Sequence, residues 1–117
     1  SLVSEFSEGK HHLFWGYPRD LPYLEGTTIR LRVKFSGASA VTFNQFCPQR
    51  NDNFSRELGK PAQGWQIIEI SAADLRERTT FKDAPKAGEY FQNFSLLLTG
   101  QDPSAELDWI EVVRRVK

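Results

Sequence analysis

Alternating apolar and polar residues mark the clearest element of this sequence, residues 27–36 (TTIRLRVKFS). One face carries Ile29, Leu31, Val33 and Phe35, and the other carries Thr28, Arg30, Arg32 and Lys34. Because successive side chains of a strand point to opposite faces, this pattern predicts a half-buried β-strand. Residues 40–47 (AVTFNQFC) predict a partner strand. The short connection through Gly37 indicates that the two form a hairpin.

Further strand signals follow at regular spacing, separated by turn residues. They lie in residues 64–75 (GWQIIEISAADL), 89–99 (EYFQNFSLLLT) and 106–116 (ELDWIEVVRRV), with a weaker one in residues 1–7. Residues 48–64 are polar and predict a long loop, and residues 72–76 predict one helical turn. Such a succession of short strands is typical of an all-β, antiparallel β-sandwich of the jelly-roll type.

The composition then narrows the class of protein. The chain has 117 residues, enough for one domain over residues 1–117, and its 13% aromatic content argues against disorder. Fifteen basic and fifteen acidic residues cancel, so a nucleic-acid partner is not expected. No apolar run reaches membrane-spanning length, so no membrane partner is expected either. The absence of methionine, even at position 1, indicates a module excised from a larger protein.

No motif in the sequence names a reaction. His11 and His12 are adjacent, so on a strand they point to opposite faces and cannot share one metal ion. Nucleophile elbows, phosphate-binding glycine loops and zinc spacings are absent from the sequence. Glu69 and Glu111 are the candidates for a pair of outward carboxylates of the kind that glycoside hydrolysis needs. We therefore expect that the chain is not an enzyme.

The order of the strand segments carries a family resemblance. GTTIRLRVKFSG, GWQIIEISAADL, FQNFSLLLTG and ELDWIEVV follow one another, and the last contains Leu107-Asp108-Trp109-Ile110. This succession resembles the galactose-binding-like β-sandwich of many carbohydrate-binding modules. The resemblance implies a non-catalytic, secreted or extracellular module that holds an attached polysaccharide-active catalytic domain at its glycan. The alternatives are an accessory protein-interaction domain of the same fold and a small jelly-roll lyase or hydrolase.

Sugar binding by such a module needs aromatic rings for the pyranose face and polar side chains for the hydroxyls. One candidate site is formed by loops at one edge, namely a proline-stiffened aromatic loop and the polar loop of residues 48–64. The other is the strand face opposite the core. The aromatic loop could instead plug one end of the sandwich, and the basic face could be an ordinary solvated one. The candidate ligand-binding residues are Trp15, Tyr17, Tyr23, Arg30, Arg32, Asn44, Phe46, Arg50 and Asn93.

Many modules of this fold also hold a structural calcium ion near the first and last strands. The resemblance therefore implies that Glu5, Glu8 and Asp108 could supply carboxylate oxygens to calcium. No dense cluster of Asp and Asn accompanies them, so solvent-facing carboxylates are the alternative.

Overall fold

Seven β-strands, joined by turns and one 3-10 helix, make up the described part of the chain. The computed structural model describes residues 2–7 and 9–114, with side chains from residue 9 onward. Every strand pair is antiparallel, which confirms the predicted all-β architecture. The elements are β1 (Leu2–Ser7), β2 (Lys10–Pro22), β3 (Thr27–Cys47), β4 (Asp52–Gly59), β5 (Trp65–Ser71), the 3-10 helix Ala72–Asp74, β6 (Arg76–Glu77) and β7 (Tyr90–Arg114).

The two longest strands, β3 and β7, pair along almost their whole length and run through both halves of the sandwich. Their register extends from Thr27 opposite Arg114 to Phe46 opposite Asn93. On its other edge, β3 pairs with β5 in its first half and with β4 in its second half. The small sheet therefore consists of β5, residues 27–36 and residues 105–114. The large sheet consists of β1, β2, residues 90–99, residues 40–47, β4 and β6.

Both long strands bend at one crease, where they pass from one sheet to the other. The register shifts twice between Ser36 and Ala40, opposite residues 99–104. Gly37 has a φ of 70°, and a Cβ there would lie 2.6 Å from the carbonyl oxygen of Gln101. Gly100 has a φ of 152°, and a Cβ there would collide with the carbonyl oxygen of Gly37. The two backbones cross so closely that glycine is required at both positions.

Folding at the crease brings the inner faces of the two sheets together as one core. The small sheet contributes aliphatic side chains such as Ile29, Leu31 and Ile70, all almost completely buried. The large sheet contributes mainly Phe43, Phe54, Phe91, Phe94, Leu96 and Leu98. The alternation along β3 correctly predicts which residues of that strand are buried. Phe91 on β7, which the alternation places on the outer face, is instead buried edge-to-face against Phe54.

Three local predictions are wrong. The two halves of β3 do not form a hairpin, because each half pairs with β7 and Gly37 bends the strand without reversing it. Residues 48–64 are not one loop, because β4 lies within them and pairs with β3 through Phe54 and its neighbours. The aromatic segment before Pro18 is part of β2, which continues to Pro22 past an irregularity after Gly16. The predicted helical turn is the 3-10 helix Ala72–Asp74.

None of the described residues forms a helix long and apolar enough to cross a membrane.

Candidate functional site

The outer surface of the small sheet, which we call the small-sheet face, holds Arg30 and Arg32. The Arg30 guanidinium lies 5.8 Å from the ring centre of Trp109, and that of Arg32 lies 4.5 Å from the ring centre of Trp65. A β-bulge at Asp108 turns both Asp108 and Trp109 outward. Trp109 then lies opposite Arg32 and diagonally across from Arg30, which explains the contact between Arg30 and Trp109. Arginine over an aromatic face is a favourable cation–π arrangement, so each ring already has a guanidinium over it.

The same two arginines are also neutralised by carboxylates of the neighbouring strands. Arg30 Nε donates to Glu69 at 2.8 Å and its Nη1 donates to Glu111, and these hydrogen bonds raise the pKa of Arg30. Arg32 Nη1 donates to Asp108 at 2.7 Å. Glu69 and Glu111 thus meet on one outward face, as the carboxylate-pair hypothesis requires, but a permanent cation lies between them. Each of the two carboxylates is therefore already bound by Arg30.

The outer surface of the large sheet, which we call the large-sheet face, holds Asn44, Phe46 and Asn93. Phe46 pairs with Asn93, and Asn44 lies between Ser95 and Ser55 on the adjacent strands. Asn44 is fully buried; its Oδ1 accepts a hydrogen bond from Ser55 Oγ, and its Nδ2 has no partner among the described residues. Phe46 and Asn93 therefore lie on one surface, and Asn44 lies on the same side of the sheet but is buried beneath that surface.

The prediction that Arg30 and Arg32 share a surface with Asn44 is wrong. All three lie on β3, and all three point away from the core. The crease at Gly37 nevertheless sends residues 27–36 into one sheet and residues 40–47 into the other. The period-two pattern reports which side of a strand is buried, but it does not report that the strand changes sheets.

The predicted aromatic loop is a strand whose rings pack inward. Trp15 stacks on Phe94 with ring centres 5.2 Å apart, and the Tyr17 hydroxyl donates to Gln45 Oε1. Burial raises the pKa of that hydroxyl. Tyr23, after the end of β2, also packs partly buried against the core. The prediction that Trp15 and Tyr17 lie in a loop is therefore wrong. Their contacts agree better with the alternative, in which these rings plug one end of the sandwich.

Arg50 lies in the turn after β3, at the centre of a charge cluster. Its Nη1 lies 2.8 Å from a Glu77 oxygen and 3.5 Å from an Asp83 oxygen, and its Nε donates to Glu89. Hydrogen bonds to Glu89 and Glu77 raise its pKa, and its guanidinium covers the Phe54 ring at 5.0 Å. Arg50 thus ties the turn after β3 to the segment between β6 and β7.

The calcium prediction finds no support in the described side chains. Asp108 is paired with Arg32, and no group of three or more His, Cys, Asp or Glu residues in the described part could hold a metal ion. The side chain of Glu5 and the whole of Glu8 lie outside the described residues. A calcium site built on these three residues therefore stays a prediction, which the melting temperature with and without EDTA would test.

A cleft of about 360 Å³ opens beside the large-sheet face, where β4 meets β6 and the segment after it. Thr42 and Ser55 connect it to the large-sheet face, since Ser55 is the residue that donates to Asn44. Five charged side chains and one aromatic ring complete its lining: Arg56, Glu57, Asp74, Arg76, Arg78 and Phe81. The sequence-based candidates include none of these residues.

The charged side chains of this cleft differ in the hydrogen bonds and ion pairs that they form within the protein. Arg56 is paired with Asp74 at 3.2 Å. Arg76 Nη1 donates to the carbonyl oxygens of Ala73 and Leu75, at 2.7 and 2.8 Å. The side chains of Arg78 and Glu57 form no hydrogen bond or ion pair with any described residue. The cleft therefore offers one free guanidinium, one free carboxylate and the remaining N–H groups of Arg76.

Phe81 lies at this cleft in an unusual backbone conformation. Phe81 is 68% exposed, and its φ of 56° lies in the left-handed region that non-glycine residues rarely adopt. Two backbone hydrogen bonds close the loop around it, from Phe81 N to Glu77 O at 2.7 Å and from Glu77 N to Asp83 O at 2.8 Å. Strained residues of this kind cluster at binding sites. A single Phe in the polar run TTFKD is the signal that could have identified it.

Asp52 anchors the start of this loop. Its Oδ2 accepts hydrogen bonds from the backbone N–H and the hydroxyl of Thr79, at 3.0 and 2.5 Å. Partial burial by itself raises the pKa of the Asp52 carboxyl. The hydrogen bonds from Thr79 and Asn53, together with the positive charge of Arg78, outweigh it and lower the pKa below its ordinary value. The Phe81 ring is therefore presented by a loop that is fixed at both ends.

Comparison with protein-family models and with curated protein sequences finds no match. Among solved structures, the chain is similar to the family 11 carbohydrate-binding module of the cellulosomal cellulase Lic26A-Cel5E of Clostridium thermocellum. The TM-score is 0.66 at 11% sequence identity, over 92% of this chain and 69% of that chain. The chain shares that module's fold. The predicted resemblance to a carbohydrate-binding β-sandwich of the jelly-roll type is thereby confirmed at the level of the fold.

Proposed function

We propose that this chain is a carbohydrate-binding module and that it binds its glycan in the cleft at Phe81. The observation that carries the proposal is the exposed Phe81 ring, fixed in a strained conformation beside unpaired polar groups. The shared fold supports the proposal as an analogy, because the same fold serves several functions. The predicted residues Phe46 and Asn93 would extend the binding surface away from the cleft along the large-sheet face, above the buried Asn44.

The chemistry of the cleft suits a sugar. An aromatic ring can stack on the apolar C–H face of a pyranose, while guanidinium and carboxylate groups bind its hydroxyls in fixed directions. Phe81 supplies the ring, Arg78 the donors and Glu57 the acceptors. Because the Phe81 loop is already ordered by its backbone hydrogen bonds, little conformational entropy would be lost on binding.

The biological role that we propose is targeting. A module that binds polysaccharide raises the effective concentration of a covalently attached catalytic domain at that polysaccharide. Such a role implies a secreted or extracellular location, where polysaccharide occurs. The module itself would not be catalytic, and Glu69 and Glu111, both bound by Arg30, would serve the stability of the small-sheet face.

The experiment is affinity electrophoresis of the chain through gels that contain neutral or acidic polysaccharides, followed by titration with the best one. We expect retardation by at least one polysaccharide. Phe81→Ala should weaken that binding about tenfold or more, since aromatic residues at the centre of a site contribute most of the affinity. The matched control is Trp65→Ala, which removes an exposed ring from the small-sheet face and should leave binding unchanged. Absence of retardation by every polysaccharide would refute the proposal.

One observation favours a second function, that of an accessory protein-interaction domain. The small-sheet face exposes Trp65, Ile67 and Val113 at 42%, 50% and 41%. Exposed apolar side chains that share one surface are typical of protein contacts. If this function is the right one, Ile67→Asp should abolish association with the partner protein while Phe81→Ala has no effect on it.

A further inference from the structure

The charges of the cleft at Phe81 indicate the class of sugar that it would bind. We propose that the cleft is built for an acidic sugar residue, such as a uronic acid, whose carboxylate binds Arg78 with help from Arg76. This inference rests on the proposed function and specifies its ligand.

The three arginines that line the cleft differ in the groups that they bind. Arg56 is neutralised by Asp74, and Arg76 uses only Nη1, on two neutral carbonyl oxygens. Arg78 is exposed, and its guanidinium has no hydrogen bond or ion pair within the described residues. Arg76 and Arg78 therefore have no carboxylate within ion-pair distance among the described residues. The charge of Asp52 acts on Arg78 from further away, while the Asp52 oxygens are taken up by Thr79 and Asn53. A carboxylate is the group that matches the planar donor geometry of arginine most closely.

Glu57 is a carboxylate of the cleft lining that forms no hydrogen bond or ion pair with the described residues. It would repel a sugar residue that carries negative charge on the side facing it. Glu57 lies on β4, opposite Thr42, whereas Arg76 lies on β6, opposite Ser55. A uronic acid has the matching asymmetry, because one carboxylate is accompanied by several hydroxyls that can donate to Glu57. A sugar residue that carries several anionic groups, such as a polysulfated one, does not fit this pattern.

A neutral sugar would leave the guanidinium of Arg78 without a charged partner. Hydroxyls can accept from a guanidinium, but the bond is weaker than one to a carboxylate. A neutral polymer with the same backbone would therefore bind through Phe81 and Glu57 and would gain little from Arg78. Discrimination between acidic and neutral forms thus depends mainly on Arg78, which can be replaced without removing the stacking ring.

The experiment uses two pairs of polymers, polygalacturonate and alginate, each compared with its carboxyl-reduced form, which has the same linkages without charge. Affinity electrophoresis and titration are carried out with the unaltered chain, Arg78→Gln, and Arg32→Gln as a matched guanidinium control on the small-sheet face. We expect that at least one acidic polymer binds about tenfold more tightly than its reduced form. Arg78→Gln should remove that difference, while Arg32→Gln should retain it.

The outcomes separate this inference from the proposed function. If reduced or other neutral polysaccharides bind as tightly as the acidic ones, the inference is refuted and the carbohydrate-binding proposal stands. If Arg78→Gln weakens acidic and neutral binding equally, Arg78 does not recognise the carboxylate and the inference is also refuted. If no polysaccharide binds, both proposals are refuted. Raising the salt concentration should weaken acidic binding only, and an unchanged affinity would count against the inference.

Discussion

The two outer surfaces of this sandwich carry similar residue types in opposite states. On the small-sheet face, Arg30 and Arg32 are each held by carboxylates and lie over tryptophan rings. In the cleft beside the large-sheet face, Arg78 and Glu57 have no partner within the described part and Phe81 is uncovered. Arginine and aromatic residues therefore do not mark a site by their presence. What distinguishes a site is whether these groups are left unbound by the protein's own residues.

The largest expected effect on stability comes from a substitution at the crease that joins the two sheets. Gly100→Ala would place a Cβ against the carbonyl oxygen of Gly37, where two backbones cross and neither can move aside. We expect a loss of more than about 3 kcal/mol in the free energy of unfolding, measured by urea denaturation.

Gly59→Ala is the matched control. Gly59 also has a left-handed φ, of 73°, but a Cβ there would have no atom within 4 Å. The cost should be about 1 kcal/mol, which is the conformational penalty alone. Equal losses for the two variants would mean that the crossing at the crease is not tightly constrained.

The next effect concerns the aromatic residues that were predicted to bind ligand. Trp15→Ala would remove the ring that stacks on Phe94, so we expect a loss of about 3 kcal/mol in stability. Binding of polysaccharide at a temperature where the variant is folded should be unchanged. A melting temperature close to that of the unaltered chain, together with weakened binding, would instead return Trp15 to the list of site residues.

A smaller effect is expected from pH, through the carboxylate that anchors the Phe81 loop. The pKa of Asp52 is lowered in the folded protein, so its contribution is complete above the unfolded value of about 3.9. That contribution is lost as the pH falls through the lowered pKa. The melting temperature of Asp52→Ala should therefore be lower than that of the unaltered chain at neutral pH, and the difference should shrink below about pH 4. A difference that does not change with pH would contradict this account.

The smallest effect is expected on the small-sheet face. The side chains of Arg32 and Asp108 are 35% and 47% exposed, and exposed ion pairs stabilise a protein by at most about 1 kcal/mol. Arg32→Ala should cost no more than this and should not alter polysaccharide binding. A tenfold loss of binding would reverse the comparison between the two surfaces and move the site to the small-sheet face.

The sequence predicts the architecture well because alternation in segments such as residues 27–36 reports burial directly. It predicts the proposed binding surface only in part. Asn44, Phe46 and Asn93 are assigned correctly to an outward face, because local parity suffices for them. The cleft is missed because Arg78 and Phe81 come from an irregular segment with no periodic pattern. The crease is also missed, since a backbone crossing between Gly37 and Gly100 depends on contacts between distant segments.

The long shared pairing of β3 and β7 has a consequence for how this protein is made. Residues 90–99 provide the partner for β2 on one side and for the second half of β3 on the other. Until β7 leaves the ribosome, both earlier strands expose apolar faces and unsatisfied backbone groups. Sequence-distant pairing of this kind folds slowly, and transiently open edges associate with one another. Yield of soluble protein should therefore depend on chaperones and on synthesis temperature more than on the stability of the finished sandwich.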